Sequence, residues 1–265
     1  MSNFLVRIIS AIVYAALFIF SIFYSEDSYI GLIALFGSIC LWEFSKILNN
    51  REILLFIPIL LSGIYLKYTD QISKDLNLVL LITSIGYLSY LIIDLYTKKT
   101  SIRSLINKVF LTLNYIILPF IFLAFLPFLH GSYEPYLVVF VILIIWANDS
   151  FAYLVGKNFG KRKLFERISP KKTIEGFIGG FIFSIITGIV IAKYSTILNV
   201  VNWMVIAFIV SVFGTYGDLV ESKFKRIANV KDSGTIMPGH GGLLDRLDSL
   251  FFLAPFVYLY IHYCI

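Results

Sequence analysis

Charge is scarce in this chain. Only 14% of its 265 residues are charged and 59% are hydrophobic, with a mean hydropathy of +0.88. Soluble domains carry about 25% charged residues, so the composition excludes an ordinary soluble domain and makes lipid the bulk solvent. Cysteine is nearly absent. Cys40 and Cys264 both lie in apolar runs, form no disulfide or metal framework, and read as small buried hydrophobes. Histidine occurs three times. His130 and His262 carry no evident chemistry, and His240 has no second His or Cys nearby, which argues against zinc. Proline and glycine are sparse in the N-terminal half, and there is no internal repeat or low-complexity linker. No small-x-small cleavage site precedes Ser25-Glu26-Asp27, so the first apolar segment reads as a retained helix.

What the chain has instead is long apolar runs. Stretches of about 20 residues read as spanning helices, near 4–24, 29–48, 53–68, 78–96, 105–129, 136–156, 173–194, 200–221 and 243–263. The expected fold is all-α, a polytopic integral membrane helical bundle of about nine transmembrane helices. Barrel strands would alternate and be about ten residues long. Residues 1–100 read as scaffold or dimerisation helices. Residues 101–265 read as a catalytic region with cytoplasmic motif loops at 157–172 and 222–242.

The net charge of +6 is not a nucleic-acid signature, because the bases gather in alternate loops. One holds Lys98, Lys99 and Arg103. The next holds Lys157, Lys161, Arg162, Lys163, Arg167, Lys171 and Lys172, and a third holds Lys223, Lys225, Arg226 and Lys231. Intervening loops carry Glu26 and Asp27, then Asp70 and Asp75, then Glu134. Positive loops stay cytoplasmic, which places the N-terminus inside and the C-terminus outside. In the N-terminal half, Trp42, Tyr65 and Tyr68 read as interface anchors. Glu43 and Lys46, three apart, can pair, and Arg7 can snorkel to headgroups. None of these is expected to be catalytic.

The polar block at 217–249, GDLVESKFKRIANVKDSGTIMPGHGGLLDRLDS, sits between two apolar stretches. Ionisable groups at the edge of the hydrocarbon zone are costly and usually functional. If the last span is helical from about Leu243, Asp245 and Asp248 share a face and Arg246 points elsewhere. Two such carboxylates want a cation between them. Asp218 lies near the end of the preceding run, with Glu221 and Ser222 one turn on. Mg²⁺ takes one or two protein carboxylates and completes its shell with water and phosphate oxygens. The turn Pro238-Gly239-His240-Gly241-Gly242 lets backbone amides approach an anion.

A second polar segment begins at Asp149, inside an otherwise lipid-like run. A carboxylate at mid-bilayer costs about 2.5–3.5 kcal/mol on insertion scales. Asp149 must therefore face a cavity, a cation or a basic partner, unless Asn148 or Asp149 simply makes an interhelical hydrogen bond. Tyr153 shares its face. Further on, Ser169 reads as an N-cap and Pro170 as the first helical residue. Lys171 and Lys172 would then occupy a first turn whose dipole disfavours cations, a conflict that an anion bound there resolves. Gly176, Gly179, Gly180, Gly214 and Gly217 read as close helix-packing positions.

These residues closely resemble the signature of the phosphatidate cytidylyltransferase (CDP-diacylglycerol synthase) family. That signature appears as Ser222, Lys225-Arg226, Lys231-Asp232, Pro238 to Gly242 and Asp245-Arg246-Leu247-Asp248, with no departure, and 149–176 resembles a second shared segment. The likeness covers much of the C-terminal half; the first hundred or so residues contribute little to it. It implies transfer of a cytidylyl group from CTP to phosphatidate, giving CDP-diacylglycerol and pyrophosphate for phospholipid synthesis. It also implies a homodimer in the cell inner membrane, with the active site facing the cytoplasm.

On this reading Asp218, Asp245 and Asp248 hold Mg²⁺, with a second cation allowed. Lys223, Lys225, Arg226 and Lys231 hold phosphate oxygens, and Asp232 and Glu221 orient these bases. Asp149, Ser169, Lys171, Lys172, Ser222, Gly239, His240, Gly241, Gly242 and Arg246 belong to substrate binding. The alternatives are a CTP-dependent lipid kinase, an archaeal-lipid cytidylyltransferase and an ion-coupled transporter. The last fits poorly, because transporters commonly repeat broken helices in both halves and polarity here is concentrated in one.

Overall fold

The computed structural model describes residues 3–97, 105–129 and 131–265. Lys98, Lys99, Arg103 and His130 lie outside the described residues, as does the side chain of Arg7. Each of the nine apolar runs contains helix, and seven of the described helical segments are long and apolar enough to cross a membrane.

Helices α1 (Asn3–Tyr24) and α2 (Glu26–Ile47) are separated by Ser25 alone. Its hydroxyl accepts from Ser28 N at 3.1 Å while Ser28 Oγ accepts from Ser25 N at 3.1 Å. This reciprocal cap satisfies two orphan amides and lets the chain reverse direction in one residue. Helix α3 (Ile57–Tyr68) has only 12 residues, but a 3₁₀ segment, Arg51–Phe56, precedes it. Together they rise about 30 Å, the thickness of a hydrocarbon core. The Tyr68 hydroxyl accordingly donates to Asp27 Oδ1 at the start of α2, 2.6 Å away.

Helix α4 is Lys74–Asp94. The run at 105–129 is not one regular helix. It divides into α5 (Leu105–Thr112), a π turn (Leu113–Ile117) and α6 (Leu118–Ala124). Pro119, which has no N–H to donate, sits just after the π turn. A short pair, β1 (Phe128–Leu129) and β2 (Ser132–Tyr133), leads to α7 (Pro135–Phe159). Helices α8 (Ile174–Tyr194), α9 (Val200–Ile227) and α10 (Leu244–Leu259) follow, and a π turn, Tyr260–Cys264, ends the chain.

One expectation fails between α7 and α8. Ser169 and Pro170 do not begin a helix. Residues Ser169–Thr173 form strand β4, paired antiparallel with β3 (Lys163–Phe165). The cap of α8 is Thr173, whose Oγ1 accepts from Gly176 N at 3.1 Å. Lys171 and Lys172 therefore lie on extended backbone, where successive side chains point to opposite faces. Lys172 turns inward and Lys171 stays exposed.

Tyr115 in the π turn ties the bundle together. Its ring lies 5.1–5.4 Å from those of Phe44 on α2, Phe224 on α9 and Phe251 on α10. Helices α7 and α8 meet at glycines: a Cβ on Gly156 would sit 3.5 Å from Gly176 Cα. The C-terminal ends of α2, α4, α7 and α9 and the N-terminal ends of α8 and α10 share one end of the bundle, through contacts of Glu43, Asp94, Lys172 and Lys225 described below.

Candidate active site

The last three turns of α9 set the first row of polar groups. Ser222 Oγ donates to Asp218 Oδ1 at 3.1 Å. Lys225 lies seven residues beyond Asp218, almost directly above it on a helix of 3.6 residues per turn. Its ammonium pairs with Glu221 and reaches Asp245 Oδ1 on α10 at 2.6 Å. After α9, Asn229 turns the chain with φ 55°. The glycine turn closes where Met237 N donates to Gly241 O at 3.0 Å and His240 N to Met237 O at 2.9 Å. Gly239 and Gly241 have φ of 77° and 93°, a region that suits glycine.

Helix α10 begins as the sequence suggests, and its Asp245 organises the turn. Oδ2 accepts from Ser233 N at 2.9 Å, Ser233 Oγ at 3.0 Å and Gly242 N at 2.8 Å. With Lys225 on Oδ1, both carboxylate oxygens are engaged. Asp248, one turn on, accepts from Ser249 N through Oδ1 at 2.7 Å. From the other side, Lys172 of β4 pairs with Asp218 Oδ2 at 2.6 Å. Asn148 Nδ2 donates to Asp149 Oδ1 at 3.3 Å, and Ser211 of α9 donates to Asn148 Oδ1 at 2.8 Å.

Of these groups, Asp149, Asp218, Lys225, Asp245 and Asp248 open on one cavity of about 620 Å³ bounded by α1, α7, α9 and α10. Its polar end holds Asp149, Asp218, Lys225, Asp232, His240, Asp245, Arg246 and Asp248. Its other end is apolar, walled by Phe18, Ile19 and Ile22 of α1 and Val139 and Ile142 of α7. Arg246 does not point away as expected. It borders the cavity and donates to His240 O at 2.8 Å. His240 Nδ1 also lies 2.8 Å from Ser10 Oγ, which ties α1 to the glycine turn.

Other candidates stand apart. Lys223 is five residues from Asp218, about 140° around the helix. It turns to α4, where it pairs with Asp94 Oδ2 at 2.7 Å. Arg226 donates to Ile168 O at 3.4 Å. Lys231 and Lys171 are exposed, Ser169 lies in β4, and none of these five residues lines the cavity. Glu221 is buried behind Lys225.

Two contributions were not foreseen. Residues 1–100 read as scaffold or dimerisation helices, yet α1 walls the cavity. Glu43 and Lys46 are spaced so that they can pair, but Lys46 lies over the Trp42 ring at 3.1 Å. Glu43 points to α10, accepting from Leu243 N at 3.1 Å and Leu244 N at 2.8 Å. The available signal was a carboxylate inside an apolar helix.

Among the described residues no three His, Cys, Asp or Glu side chains form a ready-made metal cage. Asp149, Asp218 and Asp248 nonetheless present oxygen donors from three helices to one cavity. That donor chemistry fits a hard cation which keeps most of its shell for water and phosphate.

Known proteins are similar to this chain in sequence. Residues 5–264 match the cytidylyltransferase family. The chain is 34% identical over 264 residues to the phosphatidate cytidylyltransferase of Bacillus subtilis, with 95% of each chain covered. It is 35% identical over 240 residues to that of Staphylococcus haemolyticus, covering 77% of this chain and 92% of the relative. Over 120 residues it is 51% identical to that of Staphylococcus aureus strain COL, covering 44% and 46%. The match runs through α1, α7, α9 and α10, the helices that enclose the cavity, and the chain belongs to the cytidylyltransferase family.

Proposed function

We propose that this protein transfers a cytidylyl group from CTP to phosphatidate, releasing pyrophosphate and CDP-diacylglycerol, in the two-ended cavity. One observation carries the reading. A single cavity joins a cluster of aspartates and cations to an apolar wall between α1 and α7. A polyanionic nucleotide suits the first end and the acyl chains of a lipid suit the second. The two substrates differ in solvent, and such a cavity lets their phosphates meet.

The phosphatidate phosphate carries the attacking oxygen. That oxygen forms a bond to the α-phosphorus of CTP as the bond from this phosphorus to the β-bridging oxygen breaks. Pyrophosphate leaves with the electron pair. The attacking phosphate is already ionised at neutral pH, so no strong general base is required. The protein's work is positioning and charge neutralisation. Lys225, Lys172 and Arg246 supply positive charge around Asp218 and the cavity mouth. Mg²⁺, when bound, neutralises charge developing on the phosphate oxygens. Asp218 and Asp248 are the residues best suited to hold it. Asp245, with donors on both oxygens, serves the glycine turn, a narrower ligand set than the sequence suggested.

Lys161, Arg162, Lys163 and Lys171 lie between α7 and α8, and Lys225 and Arg226 at the end of α9, the end that carries the polar groups, whereas Glu26 and Asp27 begin α2 and Asp70 follows α3; this supports a cytoplasmic site by the positive-inside rule. The reaction is tested with purified protein, phosphatidate, Mg²⁺ and CTP labelled at the α or γ position. α-Label entering the lipid supports the reading. γ-Label entering it makes the protein a lipid kinase.

A further inference from the structure

We propose that Glu43 is a positioning residue for the reaction, locking the start of α10 so that Asp245 and Asp248 keep their places at the cavity. The proposal rests on the functional reading above.

Glu43 is fully buried on α2 and makes no ion pair among the described residues. An isolated buried charge is expensive. What surrounds it instead is a set of backbone and hydroxyl donors. Oε2 accepts from Leu244 N at 2.8 Å and from Ser233 Oγ at 3.2 Å, and Oε1 accepts from Leu243 N at 3.1 Å. These amides belong to the first turn of α10, which no side chain of its own N-cap residue caps. The first four N–H groups of a helix lack intrahelical partners. A carboxylate two hundred residues away thus does the work of an N-cap, at the dipole end that favours negative charge.

The chain makes room for it. A Cβ on Gly242 would lie 2.6 Å from Glu43 Oε2 and would also collide with Ser233 Oγ, and a Cβ on Gly234 would collide with Glu43 Oε1. Both glycines are therefore needed for the loop to close over this side chain. Ser233 then links Glu43 to the site, because the same hydroxyl lies 3.0 Å from Asp245 Oδ2. One hydroxyl proton serves two carboxylates on different helices. Glu43 does not line this cavity, so its influence runs through the segment Ser233–Asp245 and not through substrate.

The test uses full-length protein in detergent or nanodiscs. Turnover and both KM values are measured together with hydrogen exchange at the amides of Leu243 and Leu244. Glu43→Gln places an N–H donor against those amides. It is expected to lower kcat about 10–100-fold, the usual cost of losing an outer-shell partner. KM for phosphatidate should stay unchanged, and the two amides should exchange faster. Adding Ser233→Ala to Glu43→Gln should cost little more, because both act through one segment. A variant that melts earlier but keeps wild-type kcat below its transition overturns the proposal, as do amides that remain protected. If Glu43→Gln does not fold, Ser233→Ala decides. Reduced kcat with faster exchange supports the role, and wild-type values for both remove it. Wild-type protein that forms no CDP-lipid defeats the functional reading, while the exchange measurement still decides whether Glu43 holds the segment.

Discussion

Lys172 Nζ lies 2.6 Å from Asp218 Oδ2, joining the strand before α8 to the last turns of α9. A lysine thus occupies one oxygen of a carboxylate proposed to hold Mg²⁺. The two cations compete for that oxygen, and lysine is also a countercharge for incoming phosphate. Lys172→Ala should therefore act in two directions. Turnover should fall about 10–100-fold, the range for a hydrogen bond to a charged group worth about 1.5–3 kcal/mol. The Mg²⁺ concentration giving half-maximal turnover should drop. Titrating Mg²⁺ against CDP-lipid formation separates the effects, and a raised Mg²⁺ requirement would show that Lys172 assists the metal instead.

The two aspartates of α10 should fail differently when neutralised. Asp245 holds Lys225, Ser233 and Gly242. Asp245→Asn should lower stability by about 1.5–3 kcal/mol, the range for losing hydrogen bonds to a charged group, because Lys225 keeps its pair with Glu221. Asp248 has a backbone contact to Ser249 and otherwise faces the cavity. Asp248→Asn should leave the unfolding temperature near that of the wild type and lower turnover about 100-fold. Unfolding curves and activity measured on the same preparations test the contrast.

Much of this architecture is legible in the chain. Apolar run length gives the helices, because backbone groups in lipid must be satisfied within each segment. The polar block marks the site, because ionisable groups are costly there. Spacing alone did not distinguish Lys225 from Lys223. Helical phase does: Lys225 follows Asp218 by two turns, and Lys223 faces Asp94 on another helix. The β3–β4 pairing was hidden because Ser-Pro is also a good helix start, and only tertiary context makes Thr173 the cap. A carboxylate inside an apolar helix marks Glu43, but its partners are out of reach because they are backbone amides two hundred residues away, and sequence patterns do not show such contacts.

Close packing of α9 on α10 should control the distance between Asp218 and Asp248. A Cβ on Gly217 would lie 2.8 Å from Phe252 Cβ and 2.9 Å from Asp248 O. Both are held firmly by the bundle, so Gly217→Ala must push the helices apart beside the proposed metal ligands. The expected result is lower turnover and a higher Mg²⁺ requirement. Gly214→Ala is the control, since its Cβ would meet Leu253 and Ser249 side-chain atoms at ordinary distances of 3.6 and 3.7 Å. It should behave as wild type. Equal effects from both substitutions would trace the loss to general helix disruption.

The two ends of the cavity should also separate in kinetics. Ala15 of α1 lines the cavity beside Phe18 and Ile19, facing Val139 and Ile142 of α7. No charged side chain of the polar end lies on α1. Ala15→Trp would add bulk to the apolar α1 wall. Acyl chains would lose that volume, whereas the nucleotide would not. KM for phosphatidate should therefore rise about tenfold, equivalent to about 1.4 kcal/mol of binding, while KM for CTP and the Mg²⁺ requirement stay constant. Long-chain phosphatidate should suffer more than a short-chain form, because only the long chain reaches the α1–α7 wall. A rise in KM for CTP alone would place the nucleotide at the apolar end and reverse the assignment of the two substrates.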